Sequence, residues 1–277
     1  MVAFFLFAAL AAPAAEPGPG GSGTPSRAQP AAGEHAQGAP SAPLAQVDVE
    51  WPRRDQPGVI DDMRAKLTAA EKAAPGDYEV LWRQARHYFW LADDPNLEKS
   101  EKSRLGKIAW DYGDRATQAN PNRVEGWNYA AAGMGNYALG IGILTALRQG
   151  IEGKFKERLS RAEQIDAKFE NGAIQTAWGR FWYELPWPKY SARRSREALE
   201  RAIQQNPDNV RAHVYLADLW LKEDEPAKAR AELDKAVANA PGRYDPPEER
   251  RWQAVARKTR DAAKKSESAA ANKGESP

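Results

Sequence analysis

Between about Pro57 and Arg260, apolar positions recur at the three-to-four-residue spacing of one helix face. No stretch alternates apolar and polar residues between turn pairs as a half-buried strand does. Ala, Leu, Arg, Lys, Glu and Gln dominate the span, and all of them lose little conformational freedom on entering a helix. The pattern predicts an all-α domain over 57–260. Ahead of it, 16–50 is largely Pro, Ala, Gly, Ser and Gln. With so little to bury, that stretch predicts a disordered linker, and 261–277 a disordered tail.

Aligning the prolines shows a repeat. Helix ends read LTAAEKAAP (Leu67, Ala70, Pro75), YGDRATQANP (Ala116, Pro121), LERAIQQNP (Leu199, Ala202, Pro207) and LDKAVANAP (Leu233, Ala236, Pro241). A fifth copy, LSRAEQIDA, places Leu159 and Ala162 with Ala167 where the proline would stand. The alanine allows a neighbouring helix to come close. The proline stops the helix and sets the turn into the next unit. Positions 75, 121, 167, 207 and 241 therefore mark second-helix ends, with steps of 46, 46, 40 and 34 residues. A period near 34 made of helix pairs predicts a stacked array.

The last unit, VRAHVYLADLWLKEDEPAKARAELDKAVANAP, resembles a tetratricopeptide repeat through Leu216-Ala217, Trp220, Ala229, Leu233, Ala236 and Pro241. The unit before it keeps Trp178-Gly179, Trp182, Leu199, Ala202 and Pro207, while Ala85 with Tyr88 and Ala131 with Met134 mark looser copies. The resemblance implies a right-handed superhelical stack of TPR-like helix pairs with disordered N- and C-terminal tails. It also implies a protein or peptide partner on the concave face. The irregular repeats, the central insertion and GRFWYELPWPKYS look similar to TRAP-transporter T-component (TatT-like) proteins of the bacterial envelope. That likeness implies a role beside a periplasmic solute-binding protein, with a ligand-holding cavity. A weaker similarity is to regulators of microtubule dynamics.

GMGNYALGIGIL, Gly133 to Leu144, could be a phosphate loop, a dip into a membrane or a packed helix. No strand precedes the glycines, and Gly140-Ile141-Gly142 is a lone GxG, so the dinucleotide-binding context is missing. The apolar run to Leu147 is too short to span a bilayer. Helix packing remains, with Ala131, Gly135 and Gly142 expected on one face.

Charge adds little: 40 basic and 38 acidic residues give a net +2, no reason to expect nucleic acid. The chain has no cysteine, which removes disulfides and thiolate chemistry, and three histidines (His35, His87, His213) without metal-ligand spacing. No metal or other cofactor is expected. The N-terminus, MVAFFLFAALAAPAAEPG, carries an apolar run and Ala12-Pro13-Ala14 in a small-x-small arrangement. Residues 1–15 thus read as a signal-like segment, predicting a periplasmic or secreted protein without a transmembrane span, with the cytoplasm as the alternative.

Solenoids bind through the concave wall built by the first helix of each pair. The repeat register places Trp82, Arg86, Phe89 and Trp90 there from the first pair, and Asn128, Ala132 and Asn136 from the central one. Thr176, Arg180 and Tyr183 follow from the third, then Val214, Asp218 and Lys222 from the last. Aromatic and Arg side chains are the usual anchors of such surfaces. Trp178, Trp182 and Trp220 fall at packing positions, and Arg180 with Asp218 can pair between repeats. No nucleophile–base constellation is legible, and no Asp or Glu stands in the apolar setting that raises a carboxyl pKa. The expectation is a non-enzymatic adaptor.

Overall fold

The structure is a computed structural model that describes residues 41–238 and 244–274, with side chains described up to 262. The signal-like segment, most of the expected linker and Pro241 lie outside the described residues. The order is α1 (Ala42–Glu50), a 3-10 turn at Trp51–Arg53, α2 (Val59–Ala73), α3 (Tyr78–Ala92), α4 (Lys99–Ala119) and α5 (Val124–Ile141). Next come α6 (Ile143–Arg148), α7 (Ile151–Ile165), a 3-10 turn at Phe169–Asn171 and α8 (Ala173–Glu184). α9 (Ala192–Gln205), α10 (Val210–Lys222), α11 (Pro226–Ala238) and α12 (Pro246–Gly274) complete it. The described residues hold no strand.

The repeated alanine does the same work in each unit. Ala70, Ala116, Ala162, Ala202 and Ala236 are all buried. In the four units where the helix end is described, the alanine carbonyl accepts the backbone N–H of the residue four later: Ala74, Asn120, Asp166 and Asn206. All four have φ between −138° and −151°, and Asn120, Asp166 and Asn206 are extended. A following proline favours that backbone. Asp166, followed by Ala167, adopts it without one. Asn120, Asp166 and Asn206 each accept through Oδ1 the backbone N–H two residues on, an Asx turn that fixes the exit of the chain.

The glycine run is indeed helix packing, but on a different face from the one expected. Gly126, Gly133 and Gly140 of α5, seven apart, lie against the backbone of α4, and Gly106 and Gly113 of α4 answer them. A Cβ built on Gly133 would fall 2.4 Å from the backbone N of Trp110. Gly135 instead faces the Phe155 ring, 3.7 Å from where its Cβ would be. Gly142, at φ +88°, ends the helix.

One further difference concerns the start of the described chain. The expected linker gives way at Ala42 to α1, whose Leu44 and Val47 are buried against Met63, Leu67 and Val80; two apolar residues a turn apart suffice to dock a short helix. At the other end α12 begins at Pro246. Trp252 and Ala256 on the first part of that helix are buried with Val210, Val214, Leu233 and Ala236, and Val255 packs beside them.

The array also curls until its ends meet. Arg54, 2% exposed, donates through Nη2 to both carboxylate oxygens of Asp245 at 2.7 Å, across 191 positions of sequence. Arg250 holds Asp55, Arg211 holds Asp93, and Arg251 donates to the Trp90 carbonyl. The Arg54 guanidinium lies 4.1 Å from both the Trp51 and Trp90 ring centroids, so two indoles shield this seam.

Candidate binding cavity

Inside the curl lies a cavity of about 430 Å³, within the roughly 300–1,000 Å³ typical of ligand sites. Its wall comes from α3, α5, α6, α7, α8 and α10, and the Trp51–Arg54 turn and the first turn of α12 contribute the closing side. One region of the wall is apolar. Met134, Ala138, Ala146, Ile151 and Phe155 form it from a single core cluster, joined by Ile143 and Phe181. Elsewhere the wall is charged, with Arg54, Arg86, Asp93, Glu170, Arg211, Asp245 and Glu248.

Of the residues that the repeat register placed on the concave wall, Arg86, Phe89, Asn128, Ala132, Asn136, Thr176 and Arg180 line the cavity. Trp82 does not. It is buried behind the wall, stacked on Tyr129 at 6.4 Å, with its indole N–H on Glu79. Trp90 sits in the closing seam between Arg54 and Arg251. Val214 is fully buried in the α10–α12 core. Tyr183, Asp218 and Lys222 lie along the α8–α10 contact: Arg180 donates to Asp218 at 2.8 Å, and Lys222 donates to the Tyr183 carbonyl. Trp178 and Trp182 are half-buried and stacked on each other, and Trp220 is half-buried beside Arg196 and Lys228. Trp187 is 88% exposed, so only Leu185 of its loop reaches the cavity.

The polar groups of the wall divide by whether the protein already uses them. Thr176 donates to the Gly172 carbonyl and accepts Asn209 Nδ2, while Asn209 Oδ1 caps α10 at Ala212. Arg86 holds Asp48, and Arg211 holds Asp93 and Glu248. Asn128 and Asn136 are different. They are 6% and 5% exposed, they line the cavity, and neither side-chain amide has a hydrogen-bond partner among the described residues. Their amide atoms open on the cavity and offer it two donors and an acceptor each.

Glu170 is the feature that sequence reading missed. Glu170, Asn171 and Gly172 all have positive φ, at 46°, 53° and 99°. For a non-glycine residue such a backbone is uncommon and concentrates at functional sites. The Asn171-Gly172 pair was a turn signal in the sequence, and the turn puts Glu170 on the cavity wall. Glu170 is exposed and lines the cavity, and its carboxylate accepts the hydroxyl of the fully buried Tyr129. Removal from bulk water, reinforced by Glu248 and Asp245 and opposed by Tyr129 and Arg86, pushes its pKa up to about 7. An acidic group in a pKa-raising setting, expected nowhere from the sequence, is therefore present. Across the fold, burial with help from Arg64 and Arg86 lowers His87 to about 4, and both its ring nitrogens lack partners. It is a packing residue. His213 is held by Glu232 and the Pro207 carbonyl. Among the described residues no group of three His, Asp or Glu side chains is placed to hold a metal ion.

Paired helices stacked around a hollow inner wall make this a helical repeat protein of the tetratricopeptide type. Residues 191–257 match the family model for the tetratricopeptide repeat, and residues 54–187 match the one for regulator of microtubule dynamics protein 1-3. In fold the chain is similar to the crystal structure of a thermophilic TPR protein in Thermus thermophilus. The two share 19% identity and a TM-score of 0.58, over 77% of this chain and 96% of that one. At that identity the likeness is one of fold. No curated protein matches. The match over the first repeats is to the microtubule-dynamics regulators, the weaker of the resemblances read from the sequence, and not to TRAP-transporter T-component proteins.

Proposed function

We propose that this protein is an adaptor of the cell envelope that binds a peptide segment of a protein partner in its inner cavity, without catalysis. The observation that carries this reading is the pair of amides of the largely buried Asn128 and Asn136, which face the cavity without a protein hydrogen-bond partner. Amides placed i and i+8 on one helix stand about 12 Å apart along its axis, a span that suits the repeating N–H and C=O groups of an extended chain. The apolar run before Ala12 supports export, and no helix among the described residues is long and apolar enough to cross a membrane.

The test is selection of peptides from a random display library against the full chain, followed by binding to Ala132→Trp, which fills the cavity. Peptides lost on that variant, while its unfolding midpoint stays unchanged, support the proposal. Peptides that bind both proteins equally contradict it.

The apolar part of the wall, from Met134 to Phe155, favours a second reading. In it the cavity holds a small apolar ligand beside a periplasmic solute-binding protein of a TRAP-type system. Native mass spectrometry of protein purified from its own cells separates the two. A retained small molecule supports the transport reading, and an empty cavity the adaptor.

A further inference from the structure

Building on the peptide-binding reading, we infer that the bound segment presents a lysine or arginine side chain to Glu170, with aliphatic residues beside it in the apolar part of the cavity. Three observations converge on this. The wall carries eight carboxylates against four guanidiniums. Each guanidinium already has a carboxylate partner: Arg54 has Asp245, Arg86 has Asp48, Arg180 has Asp218 and Glu184, and Arg211 has Asp93 and Glu248, while Arg54 and Arg86 each keep an unpartnered Nε. Every arginine of the wall is thus already charge-paired, and the carboxylates outnumber them.

Glu170, by contrast, accepts the Tyr129 hydroxyl and pairs with no cation among the described residues. Its carboxylate opens on the cavity, where Glu248 and Asp245 add to the negative potential. A cationic side chain entering there gains an ion pair and a charge-assisted hydrogen bond. An acidic side chain placed beside Glu170 meets like charge there. The second observation is independent of charge. Asn128 and Asn136, both more than nine-tenths buried and without partners, supply the donors and acceptors that the segment's backbone needs on leaving water. The third is the wall around Met134, Ile151 and Phe155, which comes from one apolar core cluster and suits aliphatic side chains.

The expected occupant is therefore a basic residue in an otherwise apolar, uncharged stretch. The shape of the site favours a peptide over a free amine, because a free amine leaves both the amides and the apolar wall unused.

The experiment uses the cavity-dependent peptides defined by Ala132→Trp. Their sequences are read, and one lysine-bearing member is synthesised with lysine, norleucine or glutamate at that position. Each is titrated against the full-length chain and against Glu170→Gln. The inference predicts enrichment of lysine and arginine among the selected peptides. It further predicts a loss of about tenfold or more for norleucine on the natural protein, a larger loss for glutamate, and little difference between lysine and norleucine on Glu170→Gln. Cavity-dependent peptides without basic enrichment, or a lysine preference unchanged in Glu170→Gln, overturn the inference and leave the peptide-binding reading standing. The absence of any cavity-dependent peptide removes both.

Discussion

Gly106 of α4 and Gly133 of α5 face each other with no side chain between them: a Cβ on Gly133 would lie 2.9 Å from the Gly106 carbonyl oxygen, and one on Gly106 3.0 Å from that of Gly133. The obstacle on each side is backbone, which cannot rotate away. Gly133→Ala must therefore push the helices apart and is expected to destabilise the protein by about 2–3 kcal/mol. This holds even though alanine alone favours a helix by about 0.5–1 kcal/mol. Gly153, exposed on α7 with nothing near its would-be Cβ, is the control: Gly153→Ala should stabilise by that intrinsic amount. Urea unfolding of the two variants reads both signs.

His87 sets a pH dependence. Burial lowers its pKa to about 4, whereas an unfolded chain protonates histidine near 6.5. Unfolding takes up a proton between those values. The contribution to stability is thus complete above about 6.5 and is lost as pH falls toward 4, a difference of about 3 kcal/mol. His87→Leu should lose that much less between pH 7 and pH 4 than the natural protein. Equal losses would show that the imidazole is not kept neutral by the fold.

The seam that joins the two ends rests on Arg54, whose side chain is 1% exposed and held by Asp245. Replacing Asp245 by alanine leaves a buried guanidinium with one carbonyl partner, that of Trp51. The expected cost is about 3–5 kcal/mol. Arg54→Met, which removes the charge and keeps apolar contact with Trp51 and Trp90, should cost less. Denaturation midpoints of the two variants test the order.

Glu170 makes binding of a basic segment depend on pH. Tyr129 from α5, Arg86 from α3, and Glu248 and Asp245 beside the start of α12 act on its carboxyl, whose pKa stands at about 7. A cation favours the ionised form. Affinity for a lysine-bearing peptide should therefore rise by about tenfold from pH 6 to pH 8, and Glu170→Gln should flatten the rise. Fluorescence anisotropy at the two pH values measures it.

Much of this was readable because the signals are local. The alanine and proline of each second helix act within five residues, so Ala70, Ala116, Ala162 and Ala202 mark helix ends without knowledge of the rest. The inner face of first helices follows from the same register, which is why Arg86, Asn128, Asn136 and Arg180 come together. Trp82 and Trp90 lie within a turn of that face, but their large rings found burial on either side of it. The glycines misled for a similar reason. Two sevenfold series run through α5, and only the position of α4 decides that Gly126, Gly133 and Gly140 touch backbone while Gly135 lines the cavity. Closure was beyond reach, since the contact of Arg54 with Asp245 depends on small rotations summed over every repeat. Glu170 was hidden for the same reason. Its turn was visible in Asn171-Gly172, but the groups around its carboxylate come from α3, α5 and the segment leading into α12.

The most direct test of the central claim is contact with the partner in the cells that make this protein. A photoreactive amino acid at Leu139, on the cavity wall, should yield a discrete covalent adduct with one partner protein on illumination. The same group at Glu157, 67% exposed on α7, should yield none. Adducts at 157 with none at 139 would place binding on the outer surface and contradict the account.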